Sequence, residues 1–189
     1  MTSTTYSDYG NGENDIAGTN YDWGVYNAIY NPKTNTTDPA GTWRTLTKDE
    51  WGYLLSTRKV TVGDEQKASY GQGTVNGVNG LIILPDNWDG SVDNDFTYGS
   101  TSWSSNTYTE STDVKLSDME AVGVVFLPAA GFRNGTSVGS AGTYGNYWSA
   151  TYSSASFACH LGFNSNLVGP QSSGSRYNGY SVRLVRDAN

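Results

Sequence analysis

The chain ends, from residue 145 to residue 186, in GNYWSATYSSASFACHLGFNSNLVGPQSSGSRYNGYSVRLVR, and this stretch decides the fold. Its two ends carry large apolar residues typical of a hydrophobic core: Tyr147, Trp148, Val182, Leu184 and Val185. Between them, Ser, Gly and Asn are broken only by single apolar residues, and the stretch contains no Asp, Glu or Lys. We therefore expect a scaffold that is fixed at both ends and carries an exchangeable polar surface in the middle.

The composition indicates one folded, loop-rich domain. A chain of 189 residues is the usual length of a single domain. Charged residues make up only 15%, but aromatic residues reach 13%, with 14 Tyr and 6 Trp. Disordered chains are poor in aromatic residues, so disorder is not expected. We interpret residues 1–14 as an N-terminal arm or an artificial boundary, and residues 15–189 as the domain, with a ligand-binding segment at 147–186.

Charge and hydropathy exclude two classes of partner. The net charge is −7, and every acid except Asp187 lies at or before Glu120. A nucleic-acid-binding protein needs a basic patch to neutralise phosphates, so this class is not favoured. No run of about 18 apolar residues exists, so we expect no membrane insertion by this chain. A single cysteine, Cys159, excludes an intramolecular disulfide.

Capping motifs and turn residues predict the local structure. Thr47 and Glu50 have the spacing of a capping box and predict a helix at 48–57. Ser117 and Glu120 predict a second short helix ending near Gly123. The apolar spacing from residue 23 to residue 29 favours a further short amphipathic turn. The Asn-Gly pairs in 74–84 predict a hairpin. Buried or half-buried strands are predicted at 81–84, 124–127, 147–152, 157–163 and 180–186, with loop at 129–145. Two helices followed by antiparallel strands indicate an α+β domain.

No set of residues supports catalysis or metal binding. The only histidine, His160, follows Cys159 directly, so in a strand the two side chains point to opposite faces. That arrangement disfavours a zinc site and a Cys–His nucleophile pair. The acidic loop Asp86–Asp95 offers oxygen ligands for calcium, but we favour a solvated turn because it lacks the EF-hand pattern. We predict no catalytic residues, no metal and no cofactor.

The Ser/Gly/Asn-rich middle of the C-terminal stretch has two interpretations. One is a pair of mobile surface loops. The other is a binding face of the kind that paratopes build from Tyr, Ser, Gly and Asn. Short polar residues alternate there with Tyr152, Phe157, Phe163 and Tyr177. The position of the segment between two core-forming ends favours the binding face.

Five motifs, in this order, resemble the Fibrobacter succinogenes major paralogous domain. They are GTWRTLTKDEWGYLLSTR (41–58), VNGVNGLIILPDNW (75–88), VVFLPAAGFRNGTSV (124–138), YWSATY (147–152) and RYNGYSVRLVR (176–186). The resemblance spans roughly residues 15–187. It implies a C-type-lectin-like fold with two short helices, antiparallel strands and long loops, of a kind common in surface proteins of gut Bacteroidetes.

The same resemblance extends to the variable proteins of diversity-generating retroelements. In these, adenine-directed mutagenesis rewrites Asn-type codons before a fixed closing strand. The residues between 149 and 180 include no Lys, Glu, Met or Trp, which adenine changes in Asn or Tyr codons cannot produce. The resemblance implies ligand binding by Ser153, Ser154, Ser156, Phe157, Cys159, His160, Gly162, Ser165, Leu167, Gly169, Ser172, Ser173, Gly174, Ser175 and Tyr177.

Three functions therefore remain for comparison. The first is an adhesin or receptor-binding protein on a cell surface, a pilus tip or a phage particle, with a protein or glycan ligand on a host or neighbouring cell. The alternative is a structural or accessory domain of a bacterial surface lipoprotein that is not diversified. The third, a divergent enzyme, would need a pocket lined by convergent carboxylates from residues 1–120.

Overall fold

A computed structural model describes residues 12–187 of the protein. The expected N-terminal arm, residues 1–14, therefore lies mostly outside the described residues, as do residues 188 and 189. From residue 15 onward the chain is tied to the rest of the domain. The Asp15 carboxylate accepts a hydrogen bond from the Tyr152 amide (2.7 Å), and the Ile16 amide donates to the Ala150 carbonyl (2.9 Å).

The regular structure of the described chain is mostly strand, with three short helices, in agreement with the predicted α+β class. The helices are α1 (Trp23–Tyr26), α2 (Lys48–Gly52) and α3 (Leu116–Ala121), and a π-helical turn, Tyr53–Thr57, continues α2. The strands are β1 (Ile29–Asn31), β2 (Thr36–Asp38), β3 (Arg44–Thr45), β4 (Lys59–Val62), β5 (Glu65–Ala68), β6 (Tyr70–Val75), β7 (Val78–Ile83), β8 (Asn106–Tyr108), β9 (Val125–Pro128), β10 (Phe132–Asn134), β11 (Ser137–Gly139), β12 (Tyr144–Ser154), β13 (Phe157–Asn164), β14 (Leu167–Ser175) and β15 (Leu184–Val185).

Two larger sheets organise the domain. One has the order β8-β6-β7-β9 and the other β12-β13-β14; the remaining strands form two-stranded pairs. The pairing is antiparallel except between β6 and β8, which run parallel. The expectation of antiparallel strands is therefore wrong for that one pair. The chain closes where β15 pairs with β3, with Leu184 opposite Thr45.

The predicted capping box at the start of α2 is confirmed. The Thr47 hydroxyl accepts the Glu50 amide (3.2 Å), and the Glu50 carboxylate accepts the Thr47 amide (2.8 Å). Together the two side chains satisfy two backbone donors that a helix start leaves free. The helix directs Trp51 and, after the π-helical turn begins, Leu55 into the core, where they are 1% and 5% exposed.

The sheet built on β6 and β7 is covered on both faces. A turn at Asn76-Gly77, with positive φ at both residues, joins the two strands as predicted. Along β7, Leu81 packs in a core with Trp51, while Ile82 on the opposite face packs in a second core with Met119. Burial on both faces explains why the apolar run at 81–84 shows no alternation.

The second capping box was predicted at the wrong residues. Helix α3 begins at Leu116, with Lys115 as its N-cap residue, and the Asp118 carboxylate accepts the Lys115 amide (3.0 Å). The predicted Ser117 cap lies inside the helix. The predicted end is correct, because Gly123 has a φ of 103°. Asp118 thus has the role that the prediction gave to Glu120, because it accepts the amide of the actual N-cap residue.

Three predictions for the C-terminal half need correction. The region 129–145, predicted as loop, contains the β10–β11 hairpin. Strand β14 was not predicted, because Ser and Gly have low strand propensity and its backbone is held by pairing with β13. The closing strand is short: Leu184 and Val185 form β15, whereas Val182, expected in the core, is 47% exposed.

Candidate functional site

The three-stranded sheet β12-β13-β14 carries all but one of the predicted ligand-binding residues on its strands and turns. Its central strand, β13, is anchored at one end by Leu161 and Phe163, which are at most 1% exposed in the core below α2. The same strand starts at Phe157, which is 43% exposed. The predicted residues therefore divide between the anchored half of the sheet and its solvent-exposed tip.

At the tip, seven of the predicted residues form one continuous surface. Phe157 lies opposite Ser154 on β12 and Ser175 on β14, and the Arg176 amide donates to the Ser156 carbonyl (3.0 Å). We call this the tip surface: Ser153, Ser154, Ser156, Phe157, Ser173, Ser175 and Tyr177. Ser153, Ser173, Phe157 and Tyr177 are its exposed members. Hydroxyl groups and two aromatic rings are thus presented on a hydrogen-bonded backbone.

In the middle of the sheet, three predicted residues are buried. Cys159 and His160 are each 6% exposed, and Gly174 is also buried. A Cβ added to Gly174 would lie 2.7 Å from atoms of the Tyr180 ring, so the site admits no side chain without movement. These three residues do not present a surface to a ligand, although they were predicted to contact one.

His160 belongs to a cluster of rings on the face of the sheet opposite the α2 core. Its ring centroid lies 4.8 Å from that of Tyr180 and 5.9 Å from that of Trp148, and Trp148 and Tyr180 stack at 4.3 Å. Its Nδ1 has no hydrogen-bond partner within the described chain. Burial lowers the pKa of His160 to about 4, because the cluster offers no compensation for a desolvated positive charge.

The remaining predicted residues lie at the other end of the sheet or between the two ends. Ser165 and Leu167 flank the β13–β14 turn, and Gly162 lies opposite Gly169 nearby. Strand β13 has eight residues, so this turn lies roughly 23 Å from the tip. Ser172 lies between them, opposite His160. The structure therefore does not bring the fifteen residues together into one small-molecule site.

A cavity of about 320 Å³ lies beside β12, and it was not predicted. It is lined by residues of the N-terminal segment, β3, β12, β13 and the C-terminal segment: Asn14, Ile16, Tyr21, Trp23, Thr45, Trp148, Ser149, Ala150, Thr151, Tyr152, Ala158, Arg176 and Val182. None of the fifteen predicted residues is among them. Tyr152 and Ala158 are sequence neighbours of tip-surface residues. Because neighbouring side chains of a strand point to opposite faces, these two side chains point away from the tip surface.

The sequence suggested an amphipathic turn at residue 23, but the rings there face outward. Trp23 and Tyr26 are 63% and 64% exposed, and Gly24 is the buried residue of α1. The α1 turn packs so closely on β3 that a Cβ on Gly24 would lie 2.7 Å from the Trp43 backbone. Trp23 was the available sequence signal for this cavity, but its spacing was interpreted only as part of an amphipathic turn.

A buried carboxylate fixes the floor of this region. Asp22 is fully buried and accepts hydrogen bonds from the Gly24 amide (3.2 Å), the Thr45 amide (2.8 Å) and the Thr45 hydroxyl (2.8 Å). Three donors compensate the desolvation of the buried group. Asp22 therefore ties the N-terminal segment to β3, and with it the position of Trp23.

The acidic loop behaves as a structured turn in the part of the chain that the structure describes. The Asp89 and Asp93 carboxylates accept the amides of Ser91 and Asp95 (2.8 and 3.0 Å), and Asp93 also accepts the Tyr108 hydroxyl (2.6 Å). Asp86 is paired with Arg58 (2.7 Å). Within residues 12–187, no group of three or more His, Cys, Asp or Glu side chains is arranged to hold a metal ion.

The Cys159 thiol lacks the surroundings of a reactive nucleophile. Burial raises its pKa, and its Sγ contacts the Tyr152 carbonyl oxygen at 3.7 Å. A thiol with a raised pKa is poorly ionised at neutral pH and so reacts slowly. His160, in the adjacent position, packs among the rings of Trp148 and Tyr180 instead. The site geometry provides no nucleophile–base pair at these two residues.

Comparison with known proteins gives one result. Residues 88–185, just over half of the chain, match a family described as "Domain of unknown function (DUF8237)". The chain belongs to the DUF8237 family. The DUF8237 match includes the whole three-stranded sheet, whereas Tyr21 and Trp23 at the cavity lie outside it. No curated protein and no solved structure is significantly similar to the chain.

No helix within residues 12–187 has the length and apolar character needed to cross a membrane.

Proposed function

We propose that this protein is a ligand-binding protein of C-type-lectin-like fold whose tip surface is diversified by a retroelement. It would act as an adhesin or receptor-binding protein at a bacterial cell surface, a pilus tip or a phage particle. The observation that carries the proposal is the tip surface itself. Five of its seven residues lie on strands of the three-stranded sheet, and Ser156 and Tyr177 lie in the adjoining turns.

The chemistry of the tip surface supports binding to a large partner. Phe157 and Tyr177 offer apolar area at low cost in side-chain entropy, and the serines offer hydrogen bonds of adaptable direction. None of the seven side chains is ionised at neutral pH, so contact with a partner would not require desolvation of a charge. A protein or a glycan chain on another cell has the dimensions to cover such a surface.

Burial divides the expected diversity into two groups of codons. At the exposed positions Ser153, Ser173 and Tyr177, side chains of any size fit, because they extend into solvent. At Cys159, His160 and Gly174, a substitution must fit among packed neighbours, and Gly174 has no room for a Cβ. Diversification would therefore produce many alleles at the first group and few folded ones at the second.

The test is sequencing of this gene, with its downstream DNA, across a natural population. We expect substitutions to concentrate at codons 153–177, to coincide with adenines in a nearby near-copy of the sequence, and to leave codons 180–186 unchanged. Among recovered alleles, large side chains should appear at residues 153, 173 and 177 and be absent at residue 174.

Two results would refute diversification. One is an even scatter of substitutions along the gene, and the other is the lack of any near-copy. Either would favour a structural or accessory domain of a surface lipoprotein.

Binding itself has a separate test. An alanine variant of Phe157 and Tyr177 together should lose adhesion to any cell type that the unaltered protein binds, whereas alanine at the exposed Tyr53 should not.

A further inference from the structure

We propose that the cavity beside β12 binds a small ligand that combines a quaternary ammonium head with an anionic group, as phosphocholine does. This site would be separate from the tip surface. Its lining shares no residue with the fifteen predicted contacts, and the proposal does not depend on retroelement diversification.

Aromatic rings supply the binding element for the ammonium head. Four of the residues that line the cavity are aromatic, and they come from two distant parts of the chain: Tyr21 and Trp23, and Trp148 and Tyr152. Trp23 and Tyr21 are 63% and 59% exposed. A quaternary ammonium ion has no N–H to donate, so it is held by the negative faces of surrounding rings.

The charges behind the rings favour a cation at this end. The Asp15 carboxylate accepts the amide of Tyr152, which lines the cavity. The buried Asp22 carboxylate lies directly behind Thr45, another lining residue, and accepts its amide and hydroxyl.

Arg176 provides the complement for an anionic group. Among the lining residues that the structure describes, it is the one ionised side chain. Its Nη1 donates to the carbonyl oxygens of Gly12 (2.7 Å) and Ala155 (3.3 Å), which fix the guanidinium group in place. A guanidinium carries five N–H donors, so donors remain for a phosphate or carboxylate. Arg176 would repel a purely cationic ligand, whereas a zwitterion can place its anionic group on the guanidinium group and its ammonium head among the rings.

The size of the cavity limits the ligand to a small molecule. A volume of about 320 Å³ is at the lower end of the range for small-molecule sites. Ile16, Ala150 and Val182 give the walls an apolar character that suits methyl groups. A neutral sugar ring could stack on the same rings, so the test must separate charge from shape.

The experiment is calorimetric titration of the full chain with three matched probes. Phosphocholine is compared with phosphoethanolamine, which has a primary ammonium, and with 3,3-dimethylbutyl phosphate, in which carbon replaces the charged nitrogen. We expect phosphocholine to bind at least about tenfold more tightly than either, because only it has a weakly hydrated cation for the rings. Equal binding of 3,3-dimethylbutyl phosphate, whose head group is uncharged, or no binding of phosphocholine, would overturn the proposal. Binding of methyl glycosides in place of phosphocholine would also overturn it and would indicate a sugar site.

Three variants locate the binding. Trp23→Leu keeps apolar area but removes the ring face, and should weaken phosphocholine binding about fivefold to tenfold. Arg176→Gln should weaken the binding of phosphocholine but not that of choline. Thermal unfolding of this variant checks that the loss of the carbonyl contacts leaves the fold intact. Tyr53→Leu, an exposed ring outside the cavity, is the control and should change nothing. Unchanged affinity in Trp23→Leu contradicts the assignment. Because Phe157→Ala should leave this affinity unaltered, failure here is distinguishable from failure of the tip-surface proposal.

Discussion

The two halves of strand β13 differ in how deeply their side chains are buried. At its start, Phe157 is 43% exposed on the tip surface; at its end, Phe163 is 1% exposed and stacks on Tyr147 at 6.1 Å. Both rings lie on the same face of the same strand. Pairing with β12 and β14 holds the backbone at the tip in place, so we expect side chains there to be exchangeable with little effect on that backbone.

The matched phenylalanines give the largest expected difference. Phe163→Ala should lower the free energy of unfolding by about 3–5 kcal/mol, because it leaves a cavity in the core below α2. Phe157→Ala should lower it by less than about 1 kcal/mol, because that ring is already partly in water. Urea unfolding of both variants measures the two values. Similar losses for the two variants would mean that the tip is as tightly built as the core.

His160, between the two halves, makes stability depend on pH. Its pKa in the folded chain is about 4, against about 6.5 when unfolded, so only the unfolded chain takes up the proton between these values. Stability from this group is therefore complete above pH 6.5 and is lost as the pH falls towards 4, by about 2–3 kcal/mol. Urea unfolding from pH 7 to pH 4.5 should show a steeper loss in the unaltered protein than in His160→Asn. Parallel pH profiles would place His160 in a solvated site.

Neighbouring residues of β14 provide the smallest contrast. Gly174→Ala should cost about 1–3 kcal/mol, because the new Cβ meets a Tyr180 ring that is held by Trp148 and His160. Ser173→Ala should change stability by less than about 0.5 kcal/mol. Thermal unfolding of the two variants decides between them. If Gly174→Ala is neutral, Tyr180 moves freely and residue 174 belongs with the tip surface after all.

Local signals were sufficient for the parts of the fold that depend on neighbouring residues. The capping box at Thr47 and Glu50 and the turn at Asn76-Gly77 involve contacts within a few residues, and both were predicted correctly. Strand β14 could not be predicted in this way. Its Ser- and Gly-rich sequence has little strand propensity, and it becomes a strand because β13 supplies a partner.

The candidate site was predictable only in part, for a related reason. The alternation of short polar and aromatic residues predicted one exposed face; Phe157 and Tyr177 are exposed, but Phe163 is 1% exposed in the core. Burial of Cys159 and His160 depends on α2 and on the ring of Tyr180, which their own sequence does not reveal. The cavity depends on Trp23 meeting β12, more than a hundred residues later in the chain. No local pattern carries such a contact.

Folding of the domain depends on its last strand, which only a complete and in-frame chain contains. Strand β15 lies after residues 153–177, yet it pairs with β3, near the start of the domain, and Leu184 lies opposite Thr45. A stop codon or frameshift introduced anywhere in 153–177 would delete or scramble β15, and the Thr45 strand would lose its partner. Such a chain could not close the domain, and its exposed strand edge would mark it for degradation. A truncated or frame-shifted copy would thus be removed at the folding stage.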